Sequence, residues 1–271
     1  VFKIIITLSL LALVFPLSMV HGQVPIGTAV VRDSSPGLSD QLVVNLSNVP
    51  ALSDSEAYEG WLVSDDGSTE LSVGLLVVSS TGSVSHTYSS PSGENLAAGY
   101  GTFAISIESV PDANAASSGK TAFSDTIATE GMAHIRQLLN SESGATVGMI
   151  TQATTAVTHA QNGINGKTLS EIHDHAAHVI NIIEGSAGAN FDATHSNPGD
   201  GVGILTYASN AKTEAGAAQA AAPANNTIAA NGQQVTILAG NVESWAKMAR
   251  DHAVTAKSSD SISTARAFIT N

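Results

Sequence analysis

Between residues 24 and 111 apolar side chains recur at every second position in short runs; beyond about residue 126 the period lengthens to about 3.6. In the first stretch Leu42, Val44 and Leu46 alternate with polar or neutral neighbours, as do Phe103, Ile105 and Ile107. Residues 58–63, 73–78 and 83–88 read as further strands, set apart by Asp65-Asp66-Gly67, Thr81-Gly82-Ser83 and Pro91-Ser92-Gly93. Short strands joined by Gly and Asp turns, with no helix between them, predict an antiparallel β-sandwich over residues 24–111. Trp61 is expected as an anchor of its core, and His86, among Ser and Thr on an edge, as a surface histidine.

Residues 112–125 begin small, polar and unpatterned and are expected to form a linker. The remainder, 126–271, predicts helices near 126–141, 147–162, 169–184, 204–222, 227–257 and 262–269. Thr168 or Ser170 can cap the third and Gly185 follows its end, while Pro223-Ala224-Asn225-Asn226 punctuates an Ala-rich stretch. Long helices with short connections predict an antiparallel bundle, so the fold class is α+β in two domains. At about 100° per residue, Ile172, Ala176, Val179 and Ile183 form one buried stripe, and on the long helix at 227–257 the same reasoning predicts a core face through Val242, Trp245, Met248 and Ala249.

The first residues add a location. Lys3 precedes an almost wholly apolar run over residues 4–17, and Val20-His21-Gly22 before Gln23 fits a signal-peptidase site. Residues 1–22 are therefore expected to be a leader that exports the rest; left uncleaved, they would anchor it in a membrane. The composition narrows the partners. A formal charge of −13 with only 12% charged residues gives no basic footprint for nucleic acid or an anionic membrane surface. The absence of cysteine excludes disulfides, thiolate nucleophiles, thiolate metal sites and covalently attached haem. The chain contains 43% apolar residues, ample for a core, but only 4% aromatics, which favours close packing through Ala and Gly.

A resemblance follows from three groups of residues. The run Glu56-Ala57-Tyr58-Glu59-Gly60-Trp61-Leu62-Val63 comes first; Gly74 before an apolar strand and Gly82 in the next turn come second. Thr102-Phe103-Ala104-Ile105-Ser106-Ile107-Glu108, leading to Ser118-Gly119-Lys120, comes third. Together they resemble the extracytoplasmic C-terminal domain of anti-sigma-K factors. The resemblance implies the sandwich fold and a place outside the cytoplasm. Proteins of that type carry a cytoplasmic sigma-binding segment before a membrane helix; with two residues before Lys3, that segment is expected to be missing here. Ser109-Val110-Pro111-Asp112 also stands where the family has a Gly-Gly-Ser stretch. Shared fold does not carry function, so the expected role is an exported, non-catalytic binding or sensing protein whose partner is an envelope or extracellular protein.

The helical half offers a different chemistry. His175 and His178 fall on one edge of the buried stripe and His173 on the other; Glu171 and Asp174 each precede one of the first pair by four residues, placed to orient its ring. His134 lies on the inward edge of the first helix and His252 continues the face of the long one, whereas His159 points to the polar side of its helix. One reading converges His134, His175, His178 and His252 on zinc, copper or iron; the other leaves them as half-buried histidines hydrogen-bonded between helices. A bis-histidine haem is chemically allowed but poorly matched to so few aromatics. Residues 190–201 space oxygen side chains as calcium loops do, yet His195 replaces the sharp-turn glycine and no Glu closes the loop, so a capped turn is expected. An enzyme is the remaining alternative, with only Glu171/His175 and Asp174/His178 as acid–base pairs.

Overall fold

The computed structural model describes residues 8–11, 25–34, 39–111, 115–140 and 144–270. Its chain contacts fall into two units, Val1–Leu139 with Ala217–Gly232, and Asn140–Gly216 with Gln233–Asn271. The chain is α+β: antiparallel sheets come first and helices follow.

In the first unit, β1 (Leu8–Leu11), β2 (Ile26–Arg32), β3 (Gln41–Ser47) and β6 (Val84–Ser89) form one antiparallel sheet in that order. The second sheet runs β5 (Glu70–Leu76), β4 (Glu56–Val63), β7 (Thr102–Ser109) and β8 (Thr121–Thr126). The residues expected as a leader lie outside the described residues except for Leu8–Leu11, whose backbone pairs with β2. Leu42, Val44, Val73, Phe103 and Ile105 fill the core, and Trp61 is among them at 3% exposure. The alternation predicted for β7 holds only through Ile105. Beyond it Ile107 is half-buried while Ser106 and Glu108 are buried; the pairing of β7 with β4 is unbroken and only its pairing with β8 shifts, so these two lie on the face of β7 opposite Ile105. Two polar side chains thus enter the interior, and they are matched there: the Trp61 indole N–H donates to Ser106 Oγ at 2.7 Å, and the Ser106 hydroxyl donates to Glu108. The Ser118 backbone N–H closes the chain by donating to the Glu108 carboxylate at 3.0 and 3.1 Å.

β8 occupies the second half of the stretch expected to be a linker. Its two apolar residues, Ala122 and Phe123, are adjacent and none of the six is fully buried, so no apolar alternation marked it; pairing with β7 makes it a strand. His86 is half-buried rather than a surface residue, because its Nε2–H donates to the Val73 carbonyl at 2.7 Å and ties β6 to β5 across the sandwich. α1 (Leu96–Gly99) and α2 (Thr129–Leu139) complete this part of the unit. The Arg136 guanidinium grips both oxygens of Asp65 at 2.6 and 2.9 Å, and Asn95 Nδ2 donates to the last carbonyl of α2, on Leu139, at 2.7 Å. Those bonds join α2 to the strands, although periodicity alone assigned it to the helical half.

The second unit is built on α3 (Ala145–Asn165), α4 (Leu169–Glu184) and α7 (Ile262–Thr270), with most of α5 (Ile204–Ala221) and α6 (Asn226–Lys257). α4 begins on Thr168, whose hydroxyl accepts from the Glu171 N–H while Glu171 reaches back to the Thr168 N–H, a complete capping box. It ends at Gly185, whose φ of 69° only glycine adopts without strain. The predicted stripe of Ile172, Ala176, Val179 and Ile183 is buried, joined by Ile180 and Ile182. The core side of α6 is Val235, Ala239, Ala246, Ala253 and Ala256; Trp245 and Met248, expected there, are about half exposed at 51% and 54%. Small alanines let neighbouring helices approach closely, and a face that includes Trp could not do so.

Candidate metal centre

α3 and α4 are consecutive helices joined by Gly166, Lys167 and the cap Thr168. His159 and His175 are sixteen residues apart with Lys167 midway, so the hairpin brings them opposite each other. Gly163 permits the closeness: a Cβ there would come within 3.2 Å of the His175 Cβ and 2.4 Å of Ile269 Cδ1. His178 lies one turn further along α4. Nδ1 of His159 stands 3.2 Å from Nδ1 of His175 and 3.2 Å from Nδ1 of His178, and one ring nitrogen from each of the three lies within 4.8 Å of the others.

The structure therefore brings together His175 and His178, as the sequence predicts, and adds His159, which the sequence reading placed on the polar side of α3. Hydrophobicity misled there because α3 turns inward a face of Gly148, Gln152, Ala156 and Gly163 while Ile150 and Val157 are exposed. His134 stands on α2 in the other unit, and His252 stacks at 6.2 Å beside Phe268; neither belongs to the group. His173 donates from Nε2 to the Ser259 carbonyl at 2.9 Å, a structural tie.

The carboxylates expected to orient these rings have other partners. Glu171 accepts from the Lys167 and Thr168 backbone N–H groups at 2.6 and 3.1 Å, which hold its carboxyl below the usual range. Asp174 pairs with His195 Nε2 at 3.3 Å. His178 is oriented instead by Ser196, whose Oγ lies 2.9 Å from its Nε2. The loop carrying Ser196 is fixed by the fully buried Asn181, which accepts from the Asp192 N–H at 2.7 Å and donates to the Asp192 carbonyl at 2.9 Å. In that loop Asp192 is engaged by Lys257, Thr194 and His195, and the Lys257 ammonium first, then Thr194, hold its carboxyl well below the usual carboxylate range.

A neutral imidazole carries one N–H and one lone pair. His159 Nδ1 faces two other Nδ1 atoms, so whichever tautomer each ring adopts, one N–H or one lone pair cannot satisfy both neighbours. Burial first, and then the facing His175, hold His159 below the ordinary imidazole range. His178 is lowered by burial and then by His159, His175 and His195, against a smaller opposing effect of Asp174. Both rings are thus kept neutral at pH 7, the form that coordinates metals.

The first unit contains a different candidate surface. Ile26, Ala29, Leu46, Phe103, Ile105 and Phe123 line an apolar hollow between β2 and β8. The residues that carry the resemblance include Trp61, Ser106, Glu108 and Ser118 in the buried polar chain, and Gly82, whose N–H donates to Ser79 and whose carbonyl accepts from Val49. Residues 17–121 match the family of the anti-sigma-K factor rskA, C-terminal. That anti-sigma-K region spans the sandwich up to the start of β8, and the helical unit lies beyond it. No curated protein and no solved structure matches the chain. No helix among the described residues is long and apolar enough to cross a membrane.

Proposed function

We propose that this chain is an exported, non-catalytic regulatory protein whose sandwich binds a protein partner in the cell envelope or outside it. The observation that carries this reading is the coincidence of the anti-sigma-K C-terminal match with the sandwich. Anti-sigma factors act through protein contacts, and a sandwich with an apolar hollow suits the capture of an apolar side chain or strand. The leader-like pattern of residues 1–22 supports export. The acidic surface and the scarcity of Lys and Arg favour a protein over nucleic acid.

Photo-crosslinking of the full chain in its producing cells tests the proposal, with the reactive residue placed at Ile26 beside the hollow or at Val77, 59% and 81% exposed. A discrete crosslinked protein from Ile26, lost in an Ile26→Asp chain bearing the crosslinker at Thr28 in the same hollow, is expected. No discrete crosslinked protein from either position, or an intact unprocessed chain recovered from the cytoplasm, would remove the basis of the reading.

A further inference from the structure

We propose that His159, His175 and His178 form a three-nitrogen site for one divalent transition-metal ion of the zinc class. The site stands independently of the role proposed for the sandwich and replaces the set in which His134 and His252 were expected to take part.

The argument is geometric. Metal–imidazole bonds of about 2.0–2.1 Å in a tetrahedral arrangement place ligand nitrogens about 3.3 Å apart. Two of the three pairs here are at 3.2 Å, and all three nitrogens come from the same Nδ1 side of their rings. Side chains brought that close normally share a proton as donor and acceptor. Here one nitrogen faces two like nitrogens, and no assignment of ring protons satisfies all three. A single cation accepts all three lone pairs at once. Coordination through Nδ1 leaves each Nε2 with its proton, and for His178 that proton has an acceptor in place, the Ser196 hydroxyl at 2.9 Å. Such a partner fixes the ring's tautomer and orientation in metal sites.

The supporting frame is rigid. His175 and His178 project from α4 beside the buried stripe of Ile172, Ala176, Val179 and Ile183, and Gly163 holds α3 against it. The Ser196 loop is pinned to Asn181, itself at 0% exposure. All three ligand rings are half-buried, so a fourth position is within reach of water or of an added ligand. Neutral nitrogen donors without thiolate favour zinc or copper(II) over calcium or magnesium, which take oxygen ligands.

The test uses the full chain purified without a histidine tag and stripped with chelator. Equilibrium dialysis against zinc chloride is expected to load about one zinc per chain, and zinc at roughly a hundredfold above the dissociation constant is expected to raise Tm by roughly 5–10 °C. His159→Ala and His178→Ala should each lose the shift while retaining the circular dichroism of the metal-free protein; His134→Ala and His252→Ala should keep it. A wild-type chain that loads no zinc at tens of micromolar, or a shift that survives in both His159→Ala and His178→Ala, overturns the proposal. Should either variant fail to fold, the cobalt(II) spectrum of the wild type decides. Intense visible bands of a four-coordinate nitrogen site support it, and the weak spectrum of the hydrated ion overturns it.

Discussion

The two units treat polar groups in their interiors in opposite ways. In the sandwich, Trp61, Ser106, Glu108 and Ser118 form a directed chain in which every N–H or O–H has an acceptor and the sequence ends on a carboxylate. In the helical unit, His159, His175 and His178 turn like atoms toward one point. A satisfied network fixes a fold and requires nothing further; a cluster that cannot satisfy itself leaves lone pairs open to water or a ligand. The same unit also contains a satisfied buried pair for contrast: Arg250 donates to Glu184 at 2.6 Å with Asn190 on the same oxygen. Burial pushes the Glu184 carboxyl up, but these donors outweigh it and hold it below the usual range.

The comparison can be broken at several points. Removing Trp61 deletes a core ring and leaves the Ser106–Glu108 pair without its donor, so Trp61→Ala should cost roughly 3–5 kcal/mol in urea unfolding. Arg250→Ala leaves Glu184, 7% exposed, as an uncompensated charge and should cost about 3 kcal/mol or more. Arg136→Ala should cost about 1–2 kcal/mol at neutral pH, because its paired bonds to Asp65 are only partly exposed. Those bonds hold the Asp65 carboxyl below its ordinary value, so their contribution is complete above about pH 4, the value in an unfolded chain, and is lost as pH falls through the lower folded value. The gap between wild type and Arg136→Ala should therefore narrow on acidification below about pH 4; a gap that widens contradicts the pairing. In metal-free protein His159→Ala should change stability by less than about 1 kcal/mol, since it removes a ring that competes with its neighbours. A large loss would mean the three rings satisfy one another. Smallest of all, Val157→Ser on the exposed side of α3, 69% exposed, should stay within about 0.5 kcal/mol.

These positions also mark what the sequence made legible. The helices predicted at 169–184 and 204–222 agree with α4 and α5 to within a residue, because a capping box and a stop glycine punctuate α4 and the Ile172 stripe is strongly periodic. The resemblance located the sandwich because Trp61, Ser106 and Glu108 are a structural set. What escaped had no hydrophobic mark. β8 has its two apolar residues side by side, β7 buries the polar Ser106 and Glu108 on the face opposite Ile105, and the inner faces of α3 and α6 are built mostly of small residues, with Val157 and Trp245 outside. His159 falls on such a face. The register of the α3–α4 hairpin, with Lys167 at its midpoint, was the signal that placed it opposite His175, and it needs both helix ends before it can be read.

The most direct measurement is the imidazole nitrogen resonances of the tag-free chain with and without one equivalent of zinc. The account predicts that Nδ1 of His159, His175 and His178 shifts to the metal-bound range while Nε2 keeps its proton, and that His134, His173 and His252 remain unchanged. Zinc that leaves those three rings unmoved, or moves a different set, would contradict it.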